Sequence, residues 1–267
     1  METHALFFIA AVVAGAINAL AGGGGLITFP LLALVVPPVT ADATSALALL
    51  PAYPAAVWRT RGELSEVPRR WLWPLLVPSV LGGLVGALLL VWTGNRNFVF
   101  LVPWLVLGGT VLFVLEPTLA RRHGGGFLRH GESAPGFWPL AVVAVTTLAV
   151  ALYGGYFGAG IGILMISALS LYGMSDVHRV VALKNLLTGC LRGVAVLVLV
   201  VEGAINWGYG LPMAFGGLLG GYLAGMVSGR VNRTVLRGVV IIVVGFGMAA
   251  YYLLQLYGPS EFHVGGE

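Results

Sequence analysis

Apolar stretches succeed one another along the chain, near residues 5–21, 41–58, 71–92, 98–115, 137–157, 180–201, 207–227 and 234–256. Most approach the roughly 20 residues that an α-helix needs to cross a ~30 Å hydrocarbon layer. Polar residues gather between the stretches and do not alternate within them, so the ten-residue strands of a membrane barrel are not the pattern. The pattern predicts membrane helices. One place breaks it: "ALAGGGGLITFP" at 19–30 sets four glycines inside an apolar run, with a proline five residues later.

The break recurs. Laying "ALAGGGGLITFPLLAL" over "YFGAGIGILMISALSL" pairs Gly23 with Gly160, Gly25 with Gly162, Leu32 with Leu169 and Leu34 with Leu171. The likeness continues with Thr44-Ser45 against Lys184-Asn185, then "RGEL" (Arg61–Leu64) against "EGAINW" (Glu202–Trp207), then two further apolar segments in each half. Arginines orient the halves. The loop after 41–58 holds Arg59, Arg61, Arg69 and Arg70, whereas its counterpart after 180–201 has only Glu202. The next loop reverses this, with Arg96 in the first half against Arg230, Arg233 and Arg237 in the second. Basic loops facing the cytoplasm therefore place the halves upside down relative to each other.

Four plain crossings per half would return the chain to its starting side, which contradicts that reversal. The parity is restored if each glycine region is a helix–turn–helix hairpin whose second arm is the short "LITFPLLALVV" or "ILMISALSLYG". The expected fold is an all-α polytopic membrane protein of two inverted repeats, each a glycine-broken hairpin plus three transmembrane helices. Residues 1–116 form the first repeat, 117–136 a cytoplasmic linker carrying Arg121, Arg122 and Arg129, and 137–267 the second repeat, with both termini outside. Half-helix N-termini at the tips would offer backbone N–H groups and a positive dipole end to an anion, which makes Gly23, Gly24, Gly25, Gly160 and Gly162 candidate binding residues. The same glycines also serve as plain packing contacts, and the sequence leaves both readings open.

Composition agrees: of 267 residues 58% are hydrophobic and 9% charged, with a mean hydropathy of +0.96, beyond the range of soluble domains. Forty glycines suit closely packed membrane helices. The N-terminal stretch ends in the signal-like Ala19-Leu20-Ala21, but it lacks a basic leader region and its motif repeats in mid-chain. The lone Cys190 and five scattered histidines offer neither a disulfide framework nor a metal cluster. A net charge of +4 carried by arginines at helix ends is no argument for nucleic acid. No Walker motif supports direct use of ATP, and no cofactor is expected.

Chemistry enters with two charges inside an apolar helix. In "HRVVALKNLLTGCLRGVAVLVLVV", Lys184, Thr188 and Arg192 fall at i, i+4 and i+8 and share one face, with Asn185 and Gly189 beside it. A central Lys or Arg costs about 2.5–3.5 kcal/mol on insertion scales, while each Leu or Val returns about 0.3–0.6. Asp42, Glu63, Glu66, Glu116 and Glu202 fall at segment ends, so no carboxylate is expected at the depth of Arg192, and the stripe invites an anion. The opposing stretch of the first half offers the hydroxyls of Thr40, Thr44, Ser45 and Tyr53. Snorkelling of Lys184 and bonding of Arg192 to helix carbonyls are the structural alternatives.

With "GAINALAGGGGLITFPLL", "ADATSA", "GAGIGILMISAL" and "VALKNLL" before "GAINW", the chain resembles the TauE/SafE family of membrane transporters from about Ala10 to Leu254. The resemblance implies a multi-pass carrier of the bacterial cytoplasmic membrane, built of two repeats and exporting sulfite or a related organosulfur anion. The expected ligand is a small anion held by Gly23, Gly24, Gly25, Thr44, Ser45, Gly160, Gly162, Lys184, Asn185, Thr188 and Arg192. Lipid is the surrounding partner, a homodimer is compatible, and an enzyme is not expected. Carrier with alternating access and small-anion channel both remain open, as do coupling ion and direction.

Overall fold

The computed structural model describes residues 2–227 apart from 21, 68, 123–136, 173 and 175, together with 238, and the backbone alone at 2, 3, 70, 109–122, 137, 139, 171, 177 and 225–227. The expected basic loop at Arg230–Arg237 and the last apolar stretch lie outside the described residues. The described chain is all-helical. In order it forms α1 (Glu2–Leu20), α2 (Gly25–Ala33), α3 (Pro38–Leu49), α4 (Ala52–Arg59), α5 (Arg61–Ser65), α6 (Arg69–Arg122), α7 (Phe137–Tyr156), α8 (Ile161–Leu171), α9 (Val177–Val201) and α10 (Trp207–Val227).

Large apolar side chains cover the outside as well as filling the core, and a small set of polar and charged ones is buried among them. Leu6, Ile9 and Val13 line the exposed face of α1, and Leu211, Phe215 and Leu218 that of α10, while Asn18, Thr28, Asp42, Lys184, Thr188 and Arg192 are buried. Most exposed tryptophans lie at helix ends or breaks: Trp58, Trp73 and Trp138 beside the basic stretches, Trp92 next to the Gly94 break of α6 and Trp207 at the start of α10, with Trp104 further along α6. Indole rings favour the headgroup level, so these positions outline two interfacial belts. Arg61 stacks its guanidinium 4.5 Å over the Trp58 ring. The Trp71–Gly108 and His178–Val201 stretches are long and apolar enough to cross a bilayer.

The short arms α2 and α8, of 9 and 11 residues, reach about half a hydrocarbon layer at ~1.5 Å per residue. Both follow a left-handed glycine. Gly22 (φ 88°) donates back to the Ile17 carbonyl at 3.1 Å and Gly158 (φ 65°) to that of Tyr153 at 3.2 Å, so each closes the preceding helix as a C-cap.

Two expected helices are interrupted. The 41–58 stretch divides into α3 and α4 because Pro51 and Pro54 cannot supply the amides that would continue the ladder. The 71–92 and 98–115 stretches run on as α6, broken only where Gly94 takes φ 68° and ψ 168°. That break delivers Asn95, whose side-chain oxygen accepts the Val39 amide at 3.0 Å and so satisfies the start of α3.

Small residues set the packing. α1 lies against α10 with Gly15 facing the Gly217 backbone and Gly220 facing Val12. α6 lies against α7 and α9, with Gly82 facing Ala151 and Gly83 facing Leu191. Backbones approach this closely because no side chain intervenes.

Candidate functional site

The two glycine tips meet in the interior. A Cβ on Gly22 would come within 2.5 Å of Gly162 Cα, and one on Gly25 within 3.2 Å of Ala159 Cα. Phe29 of α2 packs edge-on to Phe157 at 5.2 Å and to Phe98 at 6.3 Å, tying one tip to the other. The first turn of each short arm closes on its own glycine: Ile27 and Thr28 donate to the Gly24 carbonyl, Ile163 and Leu164 to that of Gly160. Gly23 likewise accepts from Leu26 at 3.1 Å. The amides of Leu26, Ile27, Ile163 and Leu164 are thus engaged within their own arms, and Gly22, Gly25 and Gly162 make the contact between the tips.

The Lys184, Thr188 and Arg192 stripe of α9 faces this junction, all three buried. α9 is fixed at its start by Asp176, whose carboxylate accepts the amides of His178 and Arg179 and is thereby held below the usual carboxylate range, the Arg179 amide contributing most. Each buried cation reaches the end of a broken helix. Lys184 Nζ donates to the Asn18 carbonyl in the last turn of α1 at 3.1 Å. Arg192 Nη2 donates to the Phe157 carbonyl just past α7 at 3.4 Å. A helix C-terminus carries partial negative charge, so both positions suit a cation. The guanidinium lies flat against Gly158, where any Cβ would collide with it.

The structure corrects one expectation. Asp42 is not at a segment end: α3 begins at Pro38, which places Asp42 in its second turn, 1% exposed. Its Oδ2 stands 3.8 Å from Arg192 Nη1, so Arg192 does have a carboxylate at its depth. Neither of those two atoms has a hydrogen-bond partner, and the buried Asn185 Oδ1 and Thr188 Oγ1 also lack one. The missed signal was Pro37-Pro38, since proline at the first helical position marks a start and fixes the register of the helix it opens.

Thr44 and Ser45 diverge. The Thr44 hydroxyl accepts the Asn206 amide at 3.0 Å in the α9–α10 connection, while Ser45 shares a 2.6 Å hydrogen bond with Thr28 of α2. Tyr53 packs against Gly189 of α9. Asn185 forms the floor of a cavity of about 180 Å³ that rises between Ala19, Ala56, Thr60 and Glu63 to the exposed Arg59 and His178. The cavity lies at the arginine-rich end and is large enough for a small oxyanion with water.

Buried cations at the junction of two half-helices, in a chain that is apolar on its outside, are the build of a membrane transporter. The chain belongs to the sulfite exporter TauE/SafE family, whose family model matches residues 7–252. A "probable membrane transporter protein" of Haemophilus influenzae is 28% identical over 98% of both chains. The "probable membrane transporter protein ORF9" of Sinorhizobium sp is 27% identical, covering 90% of this chain and 88% of its own. The "probable membrane transporter protein YfcA" of Escherichia coli K12 is 25% identical, covering 97% and 92%. No solved structure gives a significant match.

Proposed function

We propose that the protein is a multi-pass secondary transporter of the bacterial inner membrane that exports a small oxyanion, sulfite or a related organosulfur anion. The carrying observation is Arg192: a buried guanidinium whose Nη1 lacks a hydrogen-bond partner, held at the meeting point of two glycine tips. An oxyanion can accept from that nitrogen, and Asn185 lines the cavity with Thr188 and Arg192 one and two turns further along α9. The family description, sulfite exporter, supports the substrate class.

Alternating access would come from rocking one repeat against the other. The most extensive helix packing crosses between the repeats, α1 on α10 and α7, its counterpart in the repeat alignment, on α6, so both seams would shift as the repeats rock. The cavity at the Arg59 end and the Thr44–Asn206 bond at the other suit an inward-facing state. Flux into proteoliposomes tests the proposal, with sulfite, sulfate, taurine, methanesulfonate and acetate as substrates. Saturable sulfite flux with counterflow is expected. Flux linear in concentration without counterflow would indicate a channel, and absence of flux for every anion would overturn the reading.

A further inference from the structure

Recognition of an anion by Arg192 leaves the buried carboxylate beside it unused. Asp42 lies in the membrane interior with Oδ2 3.8 Å from Arg192 Nη1, a Coulombic contact without a shared hydrogen bond. Such a pair attracts but is not locked in one geometry, so an oxyanion that engages Nη1 competes with Asp42 for the same nitrogen.

The surroundings bear on what Asp42 does then. α9 brings Arg192 and, two turns away, Lys184, which is bound to the Asn18 carbonyl. α7 brings Tyr153, coupled electrostatically to Asp42, with its hydroxyl donating to the carbonyls of Ala159 and Leu105. Of the other helices packed on α3, α2 has no titratable residue. α1 carries Glu2 and His4, and α10 carries Tyr209 and Tyr222, His4 being stacked on Tyr209. α6 carries the exposed Arg96, with Arg69, Arg70, Glu116, Arg121 and Arg122 in its terminal turns.

We propose that Asp42 is a proton site that fills when the anion site fills, so that a proton crosses with each anion; this rests on the transporter reading above. Charge balance is the reason. Empty, the pair of Arg192 cation and Asp42 carboxylate sums to zero, while Lys184, two turns away on the Asn18 carbonyl, carries a charge that is the same in every state. Loaded with a monoanion, the pair and its ligand sum to zero only if Asp42 Oδ2 has bound a proton and become a neutral carboxylic acid. When the anion leaves, the proton leaves and Asp42 pairs with Arg192 again. An unbalanced charge would have to move through the low-dielectric interior in one half of the cycle, at a cost the paired arrangement avoids.

The test is the number of protons taken up per sulfite bound, from calorimetry of the purified protein in two buffers of different ionisation enthalpy. Sulfite itself titrates near neutral pH, so wild type is read against Asp42→Asn and Asp42→Glu. Wild type and Asp42→Glu are expected to take up about one proton more per sulfite than Asp42→Asn, the whole charge difference of the balance above. Should Asp42→Asn not be recovered folded, Asp42→Ser takes its place. Equal proton counts with sulfite binding intact overturn the proposal and leave the transporter reading standing. Failure of wild type to bind sulfite, sulfate, taurine or methanesulfonate overturns both together.

Discussion

Replacing Arg192 by Gln separates what the guanidinium does for the fold from what it does for an anion. Gln keeps a donor that can reach the Phe157 carbonyl but removes the cation 3.8 Å from Asp42. At an effective dielectric of about 20, the attraction between unit charges at that distance is about 4 kcal/mol, most of it offset by the cost of burying them. Leaving one member of a buried pair without the other costs about 3–5 kcal/mol. For a chain of this size the loss corresponds to a melting temperature lower by roughly 6–20 °C. Removing both charges in Arg192→Gln/Asp42→Asn recovers about 2–3 kcal/mol of that, the upper range of coupling between residues in contact. Sulfite affinity is expected to fall tenfold or more, about 1.4 kcal/mol, in the single and the double variant alike. The assay is thermal unfolding of the four proteins in detergent, each with and without sulfite. If the two single losses simply add in the double variant, the pair contributes nothing and the reasoning fails. If sulfite still stabilises Arg192→Gln as it does wild type, the guanidinium is a structural pin only.

Gly158→Ala and Gly94→Ala both force a side chain into the left-handed region, at about 1 kcal/mol, but only at Gly158 does the new Cβ meet the Arg192 guanidinium. Sulfite affinity is therefore expected to drop in Gly158→Ala alone, and equal affinities would remove Gly158 from the guanidinium's support. Gly162→Val should abolish flux by separating the tips, since its side chain would enter the Gly22 backbone; normal flux would show that close tip contact is dispensable. Asp176 is held below its ordinary carboxylate range by the amides of Arg179 and His178, so its contribution is present at neutral pH and lost as pH falls below about 4. Asp176→Ala should accordingly melt lower than wild type at pH 7, with the gap closing in acid; a gap independent of pH contradicts this. Thiol labelling at Ser65→Cys and Ala204→Cys on a Cys190→Ala background should reach opposite faces of the membrane, and labelling from one face would sink the inverted-repeat arrangement.

The short arms were legible because glycine and proline interrupt an apolar run visibly, and α2 begins one residue and α8 two residues before the expected second arms. Likewise the i, i+4, i+8 stripe needed only helical geometry to predict that Lys184, Thr188 and Arg192 share a face. Asp42 was misplaced because segment boundaries were drawn from hydropathy, which places polar residues at the margin by construction; the helix start at Pro38 moves it one turn inward. The divergence of Thr44 and Ser45 was not readable at all. Adjacent residues on a helix point about 100° apart, and which neighbour each meets depends on contacts with residues 28 and 206.

The seam between α1 and α10 ties one helix to another made nearly two hundred residues later. During synthesis α1 enters the bilayer with Gly15 and its small neighbours bare, and the surface that fits them does not exist until residues 207–227 have emerged. The first half therefore cannot be finished as a unit before the second is under way, and the contact that closes the molecule is among the most distant in sequence. Membrane insertion of such a chain is a wait followed by a closure. A ribosome stalled after α6 would leave exposed a glycine seam suited to other small-residue helices, which makes truncated products of this chain candidates for rapid clearance by membrane proteases.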